Sequence, residues 1–275
     1  MFRVKKVLNH NTLIGIGMDD NREYLLIGKG IGFGRKISER IEVSENGTVY
    51  SLYEQTQRGV AAELVKGIDP VFLEIAEQIL KESEKVFGRI DWAILFPMAD
   101  HIAFAVKRIQ NNVQISNPLT GDIQALFHME YKVAQSIRPI LKERAEVEID
   151  EHEIGYIALH IHSAIEDENV ALSMQIARTV RECIQLVENE TGMTIDVASL
   201  SYNRLMNHVR YMVARAVKGE KLKLNMNDYM SERFPDAFRM AGIVCGHLEK
   251  YFKKPMDEVE IGYLAMHIQR VSGED

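Results

Sequence analysis

Cysteine is scarce in this 275-residue chain, long apolar runs are absent, and the charge balance is not basic. Each absence excludes something. The two cysteines, Cys183 and Cys245, sit in helical patterns of apolar residues with no Cys or His partner at metal-ligand spacing, which reads them as buried thiols. No stretch approaches the roughly 20 continuous apolar residues that a bilayer span needs. The opening MFRVKKVLNHN also lacks the apolar run of a secretory signal, so a cytoplasmic protein without stable membrane insertion is expected. A net charge of −7 argues against broad electrostatic binding to nucleic acid, so any such contact must be local. With 46% hydrophobic and 27% charged residues, the chain can build two or three ordinary cores.

Charge is unevenly distributed. Between Met1 and Lys36, seven basic residues face three acidic ones, a net of +4 that leaves −11 for the remainder. The same head carries the strand signals: VKKVL, TLIGI, YLLIG and TVYSLY are β-rich runs punctuated by Asn, Asp and Gly, which predicts a small antiparallel sheet to about Tyr53. Within it, GKGIGFG (residues 28–34) places four glycines where a second backbone or a ligand can approach closely. It is no nucleotide loop, because Arg35-Lys36-Ile37 supplies neither the terminal Lys-Ser/Thr nor a helix behind it. The polar stretch from Glu54 to Gly59 ends the strand pattern, and helical periodicity runs onward from Ala61.

The helical part repeats itself with a period of 107 residues. DEHEIGYIALHI (150–161) aligns with DEVEIGYLAMHI (257–268), identical at nine of twelve positions. The same shift carries His101 onto His208, Arg108 onto Arg215 and Phe127 onto Phe234, and 59 residues separate the two histidines of either copy. Three domains are therefore expected: residues 1–59, then two homologous helical domains at 62–169 and 170–275.

Each repeat ends in a helix opened by Asp150-x-x-Glu153 or Asp257-x-x-Glu260, a capping-box pattern in which Asp caps free amides and Glu reaches back. On that helix Ile154, Ile157, Ala158 and Ile161 form a core stripe, with His160 about 120° from Ile154 on the wheel, so a partly exposed imidazole is expected there and at His267. Imidazole titrates near neutrality and its neutral nitrogen is nucleophilic, which suits phosphate acceptance as well as proton carriage. A single histidine on a helix most often only packs or hydrogen-bonds; four at matched spacing weaken that reading. A metal site is disfavoured because His160 and His162 point about 200° apart, and position 269, equivalent to 162, is Gln. No nucleophile elbow, nucleotide loop or carboxylate-histidine metal set supports an enzyme, and a metal-dependent hydrolase stays a remote alternative.

These residues resemble the BglG-type transcription antiterminators with paired phosphotransferase-system regulation domains, over essentially the whole chain. DHI around His101, EIGYIALH ending at His160, SYNR leading to His208, and GYLAMH ending at His267 are similar to the four regulatory histidine motifs. VKKVLNHN, LIGKGIGFG and DHIAFAVKR resemble most the glucose-operon, GlcT-type members. The resemblance implies a small four-stranded RNA-binding sheet that dimerises and grips an RNA hairpin, followed by two all-α helical-bundle regulation domains. Its RNA-contact positions would be Lys6, Asn9, Asn11, Gly28, Lys29, Gly30 and Phe33: lysines for phosphates, Asn amides for base edges, glycines to admit the RNA backbone, Phe33 to stack or to pack. Two positions depart from the pattern: His10 stands in a run that is often all Asn, and Lys29, where relatives often have Arg, cannot form Arg's bidentate fork. The resemblance further implies phosphate on His101 or His160 from a sugar-specific transporter component and on His208 or His267 from the phosphocarrier HPr, with no enzymatic activity, cofactor or metal of the chain's own. A regulation-domain DNA-binding activator is the runner-up, disfavoured because a helix-turn-helix does not fit the strand-rich head.

Overall fold

The computed structural model describes residues 1–272 except 46, 54, 57, 58, 167, 168, 193 and 196–198. The head is an antiparallel sheet of β1 (Phe2–Val7), β2 (Thr12–Gly17), β3 (Glu23–Ile27), β4 (Arg40–Ile41) and β5 (Thr48–Ser51), in the order β4-β1-β2-β3-β5. It has five strands where four are implied by resemblance; the fifth, β4, is a two-residue edge pairing Phe2 with Ile41 and Arg3 with Arg40, too short to leave a periodic signal. Val4, Leu13, Leu26 and Ile41 pack on one face with Phe2, Tyr24 and Val43 around them. Leu25 and Tyr50, cross-strand partners buried on the other face, follow from strict alternation along β3 and β5. Within the polar stretch after Tyr53, β6 (Gln55–Thr56) and β7 (Gly59–Val60) pair antiparallel before α1 (Ala61–Gly67).

The chain forms two compact units, one comprising residues 1–120 with 127–170, the other residues 121–126 with those from Ala171 onward. In the first, α2 (Pro70–Phe87) starts where Asp69 accepts from the Val71 amide and Pro70 occupies the first turn, and it stops at Gly88, whose φ of 80° lets the chain turn away. Its buried Leu73, Ile75, Ala76, Ile79 and Leu80 share a core with α3 (Leu95–Gln110), α5 (His128–Ala134), α6 (Ile137–Ala145) and α7 (Glu151–Ile165). Tyr50 joins sheet and helices within this unit: its hydroxyl donates to Glu77 Oε1 at 3.0 Å and its ring lies beside Trp92 and Phe96.

The second unit holds α4 residues 121–126 of the helix Thr120–Leu126, α8 (Val170–Thr191), α9 (Leu200–Lys218), α10 (Asn227–Arg233), α11 (Pro235–Phe252) and α12 (Val259–Ser272). Ser199 caps α9 by accepting from the Tyr202 amide, and Gly219, at φ 72°, ends it. Leu205, Val209, Met212 and Val213 of α9 and Val244 and Leu248 of α11 are buried, and both helices pack on α12, whose Leu264 and Ile268 are buried as well. Cys183 and Cys245 are both buried free thiols, and burial pushes the thiol of Cys245 up to about 12. Among the described residues no helix is long and apolar enough to cross a membrane.

Candidate functional site

In the head, the chain turns at Leu8–Thr12 and the glycine loop closes over that turn. Asn9 Oδ1 accepts from the Asn11 amide at 2.8 Å, an Asx turn, while Asn11 Oδ1 accepts from the Gly30 amide at 2.9 Å. Gly28 and Gly32 donate to the carbonyls of Asn11 and His10. At Gly32 the close approach is to the protein's own backbone, since a Cβ there would stand 2.2 Å from the Asn9 carbonyl oxygen. Gly30 has a φ of 72° with open space beside it. Lys6, Lys29 and Phe33 are solvent-exposed, Phe33 at 70%, its ring edge-on to His10.

The Asn amides, expected to be available for base edges, are engaged elsewhere. Asn9 Nδ2 donates to Glu74 Oε1 at 2.7 Å, Asn11 Nδ2 to Glu74 Oε2 at 3.2 Å, and the buried Thr12 hydroxyl to Glu74 Oε1 at 3.3 Å. Arg144 Nη2 completes the shell of this carboxylate at 2.6 Å. A cleft of about 510 Å³ lies between Asn11, Gly28, Lys29, Glu74, Lys81 and Arg144.

In each helical repeat the two histidines meet. His101 of α3 lies 5.3 Å, ring centre to ring centre, from His160 of α7, with Tyr156 at 5.5 Å. His208 of α9 stacks on His267 of α12 at 4.5 Å and 28°. Exposure departs from the wheel: His160 is buried at 3%, because α3 covers the flank that a lone helix leaves open, whereas His267 is half-buried as expected. His162 faces away from this pair to Glu130, 2.9 Å from its Nδ1, so the two histidines of HxH do not converge. Among the described residues no group of three or more His, Cys, Asp or Glu could hold a metal ion.

A buried glutamate underlies each pair. The Asp150 side chain caps α7 through the Glu153 amide at 2.9 Å, but the Glu153 side chain does not reach back as a capping box would. It points inward, where Oε1 receives Arg108 Nε and Nη2 at 3.1 and 2.6 Å and Oε2 lies 3.3 Å from His101 Nε2. Glu260 repeats this with a different division: Arg215 Nε takes Oε1 at 2.6 Å and Nη2 takes Oε2 at 2.8 Å, and His208 Nε2 stands off at 3.9 Å. Burial by itself would raise the Glu153 carboxyl, but the His101 ring and the Arg108 guanidinium outweigh it and hold it below the usual carboxylate range. Burial, with His267 and Arg215 alongside, pushes His208 down to about 3, and burial with Arg270 and Arg204 also lowers His267. Both imidazoles of the second repeat are thus neutral at pH 7, the nucleophilic form.

A sequence profile of the CAT RNA binding domain matches residues 2–58, and that of the PRD domain matches residues 73–164 and again 181–271. The chain is 31% identical to "Protein GlcT" of Staphylococcus haemolyticus, over 97% of this chain and 95% of that one, and 30% identical to the "PtsGHI operon antiterminator" of Bacillus subtilis, over 99% and 98%. The chain belongs to the CAT–PRD antiterminators. A solved structure titled "Crystal structure of GlcT CAT-PRDI" matches 60% of this chain and 98% of its own, at 34% identity and a TM-score of 0.51. In this antiterminator the five-stranded sheet is the RNA-binding CAT domain, and the helical repeats are PRD regulatory domains.

Glu74, Glu153 and Glu260 are the side chains that sequence reasoning did not single out for these sites. A signal existed for two of them: Glu153 and Glu260 stand one repeat apart, as do Arg108 and Arg215. Glu74 has no such signal, its partners being more than 60 residues away.

Proposed function

We propose that the chain is a cytoplasmic, homodimeric antiterminator that holds a hairpin in the leader of a sugar-uptake operon, glucose being the sugar, and that phosphate on His101, His160, His208 and His267 controls it. In this reading a sugar-specific transporter component modifies the first PRD when sugar is absent, and the phosphocarrier HPr modifies the second. The observation that carries the reading is the recurrence, in both PRDs, of two histidine rings in contact above a buried Glu–Arg pair. A phosphate adds about −1.5 to −2 charges, and at a two-fold interface it meets its own copy, so the dimer rearranges.

On the RNA side, the exposed Lys6, Lys29, Gly30 and Phe33 with the partly buried Gly28 form the edge that meets the hairpin, while Asn9 and Asn11 are held by Glu74 until the PRD releases them. An acidic side chain stands where RNA phosphates or base edges would compete for the same donors. The test is titration of the full chain with a terminator-overlapping hairpin at fixed salt, followed by transcription through the terminator. Binding with increased read-through supports the reading; no preference for the hairpin over an unrelated stem-loop refutes it.

A further inference from the structure

We infer that Glu153 is a positioning residue for phosphate acceptance by His101: it holds the Nε2–H form of the ring and turns Nδ1 into the phosphate acceptor. This rests on the proposal that His101 is an acceptor at all, and deepens it by naming the reacting atom and what selects it.

Nε2 of His101 and Oε2 of Glu153 are both buried and lie 3.3 Å apart, and neither makes a formed hydrogen bond to any described residue, so each is the nearest partner the other could take with a small ring rotation. A buried polar atom without a partner is costly, so each of these has only the other to lower that cost. The carboxylate is an acceptor, which requires the proton on Nε2 and leaves the lone pair on Nδ1. Glu153 cannot turn to another task, because Oε1 is fixed by two Arg108 contacts and the Asp150-capped start of α7 fixes its backbone. The His101 side chain keeps 11% exposure, and since Nε2 is buried that exposure belongs to the rest of the side chain.

The chemistry balances with a phosphohistidine-bearing protein as donor. The Nδ1 lone pair of neutral His101 attacks phosphorus, the N–P bond of the donor breaks, and its electron pair stays on the donor imidazole. The His101 ring, now bonded to phosphorus at Nδ1 and still carrying hydrogen on Nε2, is cationic, and the Glu153 carboxylate beside Nε2 offsets the charge as it develops. A carboxylate behind an imidazole fixes tautomer and orientation in the same way in triads and metal sites.

The second repeat is an internal comparison. There Arg215 occupies both oxygens of Glu260, and His208 Nε2 is 3.9 Å away, outside hydrogen-bond reach. The glutamate therefore lies closer to its histidine in the first PRD, with one oxygen left free of arginine, than in the second.

The test uses the full chain, the phosphorylated phosphotransferase proteins as donors, and ¹⁵N and ³¹P NMR to read tautomer and phosphorylated nitrogen. In the wild type, the Nε2–H tautomer and Nδ1-phosphate at His101 are expected. Glu153→Gln should slow phosphorylation of His101 about 10- to 100-fold and shift its pH profile, Glu153→Asp should restore part of the rate, and His208 in the same molecule should keep its own rate. An Nδ1–H tautomer, Nε2-phosphate, or an unchanged His101 rate in Glu153→Gln overturns the inference. If Glu153→Gln does not fold, the wild-type tautomer and phosphate position still decide it. Absence of phosphate from all four histidines of the wild type would instead remove the underlying proposal, while the tautomer still reports on Glu153.

Discussion

Asn9 of the CAT domain and Glu74 of the first PRD are joined by a 2.7 Å hydrogen bond that reaches across 65 residues of sequence, on a carboxylate that also holds Asn11, Thr12 and Arg144. One side chain of the regulatory domain thereby engages the turn that positions the glycine loop. If this contact restrains the RNA-binding edge, Glu74→Ala should tighten hairpin binding about tenfold, the equivalent of one hydrogen bond to a charged group. Fluorescence titration at constant salt measures it; unchanged or weaker binding would show that Glu74 only builds the fold.

Phe33 separates stability from binding. The residue is 70% exposed and its ring lies edge-on to His10, so Phe33→Ala should leave the unfolding free energy within about 0.5 kcal/mol. Hairpin affinity should fall by about 1–3 kcal/mol if a base stacks there. Denaturant melts and titrations on the same preparation check both halves.

The histidines of the second PRD make its stability depend on pH in a defined direction. His208, near 6.5 in the unfolded chain, is lowered to about 3 in the folded one by burial, with His267 and Arg215 adding to it and Glu260 3.9 Å away. The unfolded state therefore takes the proton first: the stability is fully present above pH 6.5 and is lost as pH falls toward 3. From pH 7 to pH 5 the loss from this group alone is about 2 kcal/mol, and His267 acts in the same direction. Denaturant melts across that range should show the slope, and His208→Gln should flatten it.

Removing Arg108 would leave a 2%-exposed carboxylate facing only His101. Arg108→Met should destabilise the chain by about 3 kcal/mol, and Arg108→Met with Glu153→Met should recover most of that loss, since the uncompensated charge leaves with its partner. A double-mutant cycle from urea melts gives the coupling.

How far these features are legible in the sequence depends on how local they are. The 107-residue repeat, the paired histidines and the glycine loop could be read directly, because spacing and residue type carry them. The inward turn of Glu153 could not: Asp-x-x-Glu at a helix start is the same four residues whether the glutamate caps its own helix or meets an arginine 45 positions upstream. The burial of His160 is invisible in the sequence for a related reason, since a helical wheel contains one helix and the occluding surface belongs to α3. Glu74 reads from the sequence as one more charged residue on α2, and only the packing of sheet on helix shows what it holds.

The central claim, that phosphate on the first PRD sets the RNA-binding state of the CAT domain, is tested most directly by one paired measurement. The full chain would be incubated with the general phosphotransferase proteins, with and without a glucose-transporter cytoplasmic domain, and phosphate position and hairpin affinity read on the same samples. The account predicts transporter-dependent phosphate at His101 or His160 together with loss of hairpin binding. Full hairpin binding by chains that carry that phosphate would contradict it.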